Sequence, residues 1–129
     1  MRYSKVTALA LAAVVLGSAG VATAAPKKLS VSFSWTKADR CTSTSPAFRV
    51  RGAPKGTAKL KFQMKDLDVP SYYHGGGTVA YKGAMVPRGA FRYTGPCPPS
   101  GSHKYRWTVK AIDGSGKEVG RGSATRSFP

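Results

Sequence analysis

Residues 58–68 read AKLKFQMKDLD, and their alternation decides the fold class. Ala58, Leu60, Phe62 and Met64 share one parity, and Lys59, Lys61, Gln63 and Lys65 share the other. Successive side chains of an extended strand point to opposite faces, so this pattern predicts a strand with an apolar inner face and a basic outer face. Asp66 and Asp68 carry the parity of the apolar set, which turns two carboxylates inward at the strand's end. Buried charge is costly unless it is paired or hydrogen-bonded, so that end needs polar partners.

A second stretch, HKYRWTVKA at residues 103–111, repeats the pattern. Tyr105, Trp107, Val109 and Ala111 oppose Lys104, Arg106, Thr108 and Lys110, and His103 has the parity of Tyr105. In a third, LSVSFSW at 29–35, Leu29, Val31, Phe33 and Trp35 alternate with serines. Shorter strands are expected at 48–51, 78–81, 90–93 and 123–128, separated by the turn signals GAPKG, VPSYYHGGG, VPRGA and DGSGK. No segment sustains a helical period, so the expected class is all-β, an antiparallel sandwich with short helices or none.

The N-terminus, MRYSKVTALALAAVVLGSAGVATA, has two basic residues, an apolar run and the small-residue site Ala22-Thr23-Ala24. This is the pattern of a secretory signal peptide, expected over 1–24 and cleaved, leaving one domain over 25–129 with no transmembrane segment. The expected location is the periplasm or outside the cell. Removing Arg2 and Lys5 from 21 basic against 5 acidic residues leaves a charge of +14, a field that favours anionic surroundings. In an oxidising compartment Cys41 and Cys97 are expected to pair with each other. No C-x-x-C spacing points to a metal, and no cofactor motif occurs.

The inward parity of Asp66, Asp68 and His103 predicts a small polar pocket at the strand ends. The stiff loop GPCPPSGS at 95–102 would form its wall. At these residues the sequence resembles the phosphatidylethanolamine-binding protein family, in its small bacterial Raf kinase inhibitor-like branch. The run SPAFRVRGAPKGTAKLKFQMKDLDVP follows the family's S-P-x-L/F segment, its G-x-P-x-G-T turn (Gly52 to Thr57) and its strand ending in D-P-D-x-P. GPCPPSGSHKY then follows G-P-x-P-P-x-G-x-H-R-Y, with Lys104 in place of the arginine. The likeness covers about Cys41 to Asp113.

The resemblance implies a β-sandwich with a pocket for phosphate-like head groups, lined by Asp66, His103 and Tyr105, with Asp68 and Pro70 shaping the loop. It also implies a second histidine, for which His74 is the candidate. His74 is followed by Gly75, Gly76 and Gly77, and aligning TVAYKG with the family's strand displaces it by one to three residues. If the glycines draw the ring out of the pocket, His74→Ala would be nearly silent. Leu67 stands where the family has its middle proline, and the C-terminal helix of larger members has no counterpart before Pro129.

The reading is an exported, non-enzymatic binder of a small anionic or phosphorylated ligand. Two alternatives stand beside it: inhibition of an extracytoplasmic protease, by family analogy alone, and cationic surface binding to an anionic envelope polymer or lipid. No specific nucleic acid is expected as a partner. Hydrolase chemistry is disfavoured because no serine sits in a nucleophile elbow and the cysteines are expected to be bridged.

Overall fold

The computed structural model describes residues 12–20 and 24–129. Most of the expected signal peptide, including Arg2, Lys5 and Ala22-Thr23, therefore lies outside the described residues. In the described part of that segment Val14, Val15 and Leu16 are exposed and contribute nothing to the core. No helix among the described residues is long and apolar enough to cross a membrane.

Among the described residues eight strands follow in chain order: β1 (Lys27–Lys28), β2 (Ser30–Phe33), β3 (Phe48–Arg51), β4 (Thr57–Asp66), β5 (Tyr73–Ala80), β6 (Met85–Val86), β7 (His103–Asp113) and β8 (Glu118–Phe128). They form a five-stranded sheet in the order β1-β8-β7-β4-β5 and a three-stranded sheet in the order β2-β3-β6. All pairings are antiparallel except that of β1, which runs parallel to β8 through two residues at the edge. One 3-10 turn, Lys37–Asp39, is the sole helical element among the described residues.

The alternation read from the sequence sets the inner faces. Leu60, Phe62 and Met64 of β4 and Tyr105, Trp107, Val109 and Ala111 of β7 are buried against Phe33, Phe48, Val50 and Val86 of the smaller sheet. Trp107 is fully buried at the centre, with Phe48 edge-on at 5.2 Å and Tyr93 at 5.0 Å. Truncating such a residue to alanine costs about 3–5 kcal/mol. Ala58 departs from the expected inner set and is exposed, because the β4–β7 register shifts between Thr57 and Lys59.

The expected strand at 90–93 is reduced to a single bridge, Thr44 to Arg92. Its apolar residues serve the core all the same, since Phe91 and Tyr93 plug the sandwich. Buried Ser45 fastens the segment: its N–H donates to the Phe91 carbonyl, its hydroxyl accepts the Phe91 N–H, and its carbonyl accepts the Gly89 N–H. Arg88, itself exposed, forms an ion pair with buried Asp39. Asp39, fully buried, accepts from Arg88 at 2.6 Å, from the Thr36 backbone N–H at 2.6 Å and from the Thr36 hydroxyl at 2.9 Å, so its charge is compensated on both oxygens.

The β4–β5 register explains the three glycines. Gln63 pairs with Gly76, but Lys65 pairs with Tyr73, so β5 uses one residue more than β4 over this interval. This is a β-bulge, and Gly75 within it adopts φ +74°, a left-handed conformation suited to glycine. Its neighbours are fixed by crowding. A Cβ on Gly77 would lie 2.5 Å from the Phe91 Cβ, and one on Gly76 would lie 1.9 Å from the Phe62 carbonyl oxygen.

Candidate functional site

Adding one residue to a strand reverses the facing of everything beyond it. Without the bulge His74 would oppose Lys65 and face solvent. With it, Tyr73 takes the outer face, 80 % exposed, and His74 turns inward, 4 % exposed. The glycines do not draw His74 outward, because the bulge delivers the ring to Tyr105. The two rings meet edge-to-face with centroids 5.5 Å apart, and Tyr72 covers the other side at 4.7 Å. His74 Nδ1 donates to the Thr94 carbonyl at 2.7 Å, and the Thr94 N–H donates back to the His74 carbonyl at 2.8 Å. The other ring nitrogen, Nε2, is buried and has no hydrogen-bond partner among the described residues.

The remaining residues come from the ends of β4 and β7, which pair Asp66 with Tyr105. His103 Nδ1 donates to Asp66 Oδ2 at 2.7 Å. Asp66 Oδ1 accepts the backbone N–H groups of Asp68 at 2.9 Å and Val69 at 3.0 Å. Burial pushes the Asp66 carboxyl up, but the His103 hydrogen bond and these two N–H groups outweigh it and hold the pKa below its ordinary value. His103 stacks over Tyr105 with centroids 6.2 Å apart. The Tyr105 phenol is pushed up to about 12, by burial first and then by the charges of Asp66 and Asp68, so at neutral pH it is a hydrogen-bond donor.

Asp66, His103 and His74 are thus gathered around Tyr105, with the Asp68 carboxylate beside Asp66 and His103, while Pro70 lies elsewhere. The Asp68 side chain reaches back to the Lys104 backbone N–H at 2.6 Å and, with the Leu67 N–H bound to the Lys104 carbonyl at 2.8 Å, ties the loop to β7. Pro70 is exposed and lines a groove on the outer face of the large sheet. Asp66, Asp68 and His103 offer potential metal-ligand atoms within 4.8 Å of one another. Three of the four oxygens of these two carboxylates already accept N–H donors.

The proline loop holds this geometry from behind. Cys41 and Cys97 are joined in a disulfide, the Cys41 N–H binds the Pro96 carbonyl at 2.9 Å, and Pro96 and Pro98 are buried. Trp35 packs edge-on against Tyr105 at 6.1 Å and against Phe128, the cross-strand partner of His103. Trp35, Phe128 and Arg40 line a groove of about 560 Å³, with the Arg40 guanidinium 5.3 Å above the Phe128 ring. The sequence pattern alone does not point to Tyr72, Thr94 or Trp35 as residues of the site. Tyr72 adjoins His74 in sequence, but its contact with the ring depends on the bulge.

No family model matches the sequence, and no curated protein is significantly similar to it. Solved structures do match. E. coli YbcL, described as a new member of the mammalian phosphatidylethanolamine-binding protein family, superposes with a TM-score of 0.60 at 16 % identity, covering 78 % of this chain and 97 % of its own. A phosphatidylethanolamine-binding protein homologue from Chlamydia trachomatis superposes with a TM-score of 0.59 at 17 % identity, covering 81 % of this chain and 97 % of its own. The chain has the fold of these proteins.

Proposed function

We propose that the protein is an exported, non-catalytic binder of a small phosphate-bearing molecule, held between His74, His103 and Tyr105. The observation that carries this reading is the buried Nε2 of His74, without a partner among the described residues, on a ring that packs on Tyr105, against which a second histidine, braced by a carboxylate, is stacked. Burying an unsatisfied polar atom costs about 1–3 kcal/mol, which a hydrogen bond to a ligand atom would offset. With each Nδ1 engaged as a donor, each Nε2 is left for the ligand, and protonated imidazoles together with the Tyr105 hydroxyl form a donor set suited to phosphate oxygens.

Asp66 orients His103, while the groove bounded by Trp35, Phe128 and Arg40 supplies an apolar flank and a further cation. The fold shared with proteins described as phosphatidylethanolamine-binding supports a phospholipid head group as the ligand's chemistry. The amino-terminal sequence and the disulfide support export.

Calorimetry with O-phosphoethanolamine and glycerol phosphate, at fixed ionic strength, tests the proposal. Both compounds bind. His74→Ala and His103→Ala each weaken binding at least about tenfold, roughly 1.4 kcal/mol. Unchanged affinity in both variants, with the fold intact, refutes the site.

A further inference from the structure

The outer face of the five-stranded sheet carries an arrangement that the pocket does not use. The β4–β7 and β7–β8 registers set Lys61 opposite Lys110, Lys110 opposite Arg121, and Lys65 opposite Arg106. Like charges directly across a strand pair are destabilising. Here two rows of them cross the sheet, and among the described residues none of Lys61, Lys65, Arg106 or Lys110 is ion-paired. The acidic partner at this face, Glu118, binds Arg121 at the β8 end of the first row, and its charge also interacts with Lys110. The other four acidic residues lie in the core, the candidate site and the β7–β8 turn.

Between the rows runs an uncharged one, Gln63 opposite Thr108 and Thr108 opposite Ser123. It stands two residues from each basic row, about 7 Å along the strands. A groove of about 380 Å³ lies over Gln63 and Thr108, bordered by Lys65, Lys110 and Tyr73. It continues past Gln63 and Tyr73 into a depression of about 220 Å³ above Gly75–Gly77. The Tyr73 ring stands at the junction of the two, 80 % exposed, where the bulge has placed it.

We propose that this trough binds a linear acidic polysaccharide. Carboxylates of the polymer meet the two basic rows, its hydroxyls meet Gln63, Thr108 and Ser123, and a sugar ring lies against Tyr73. Charge complementarity selects the occupant: a second copy of the chain would bring the same cations face to face. An anionic membrane calls for apolar side chains to insert along the face, and the rows here are lysine, arginine, hydroxyl and amide. A single-stranded nucleic acid uses successive aromatic platforms; here Tyr73 stands over a polar floor, and Tyr72, which also lines the groove, packs on the His74 ring.

The test is titration of the protein with polygalacturonate, which carries one carboxylate per sugar, against neutral dextran of matched length. Polygalacturonate binds and dextran does not, and affinity falls about tenfold or more between about 50 and about 200 mM salt. Lys61→Gln with Lys110→Gln weakens binding at least about tenfold and flattens the salt dependence. Tyr73→Ala weakens it several-fold with the salt dependence unchanged. Because Lys110→Gln removes like-charge contacts with both neighbours, its melting temperature is expected to rise, which separates lost binding from lost folding. Polygalacturonate affinity unchanged in the double variant overturns the proposal. So does equally tight binding, through the same residues, of anionic phospholipid vesicles or a single-stranded oligonucleotide.

Discussion

Replacing Asp66 by asparagine removes one charge from a side chain that is 5 % exposed and accepts three hydrogen bonds. An amide can present its oxygen to the N–H groups of Asp68 and Val69 or to Nδ1 of His103, but not to both. In the first orientation its NH2 faces the Nδ1–H of His103 until the imidazole shifts its proton to Nε2. The loss is that of a charge-assisted hydrogen bond, about 1.5–3 kcal/mol. At about 4 °C or more per kcal/mol for a domain of this size, the melting temperature falls by about 6–12 °C at neutral pH.

The deficit has a defined pH dependence. The folded-state pKa of Asp66 lies below the ordinary 3.8, so its stabilising contribution is complete above the unfolded value and is lost as pH falls through the lower folded value. The gap between wild type and Asp66→Asn should therefore be full at pH 7 and shrink below about pH 4. Thermal unfolding followed by the fluorescence of buried Trp107 measures it at both pH values, and taking the difference between the two proteins cancels the titrating groups that do not contact Asp66. A deficit of equal size at pH 7 and at pH 3, or none at pH 7, would refute the assignment of that hydrogen-bond set to an ionised Asp66.

Alkylation of the oxidised, denatured protein should label no thiol, and Cys41→Ser with Cys97→Ser should cost about 4 kcal/mol on the chain-entropy model for a separation of 56 residues, read from urea unfolding. Two labelled thiols would contradict the bridge. Gly77→Ala should destabilise by about 1–3 kcal/mol, because its Cβ would lie 2.5 Å from the Phe91 Cβ, and stability equal to wild type in the same assay would contradict the close approach.

The inner faces of β4 and β7 are legible because both strands are ten or more residues long and alternate almost without a break, and the inward parity of Asp66 and His103 follows from the same rule. The disulfide is legible from the number of cysteines and the signal-peptide-like pattern of the N-terminal sequence. The facing of His74 is not, because it is set by the extra residue at Gly75, and a bulge leaves no mark in a strand whose next three residues have no side chains. Likeness to a family loop puts Pro70 at the pocket, whereas the folded loop carries it to the outer face. Asp39 gives no signal in the sequence because its partner Arg88 is 49 residues away and neither lies in a patterned segment.

The bulge at Gly75 also sets how the two faces of the large sheet can change. It lies between two surfaces of opposite chemistry and assigns Tyr73 to one and His74 to the other. Deleting a single codon in the glycine run would exchange them, sending the histidine among the lysines and the tyrosine toward Tyr105. A substitution anywhere in this strand alters one surface at a time. A length change here alters both together, so lineages that diverge in the length of this run are expected to gain or lose the two proposed binding surfaces as a pair.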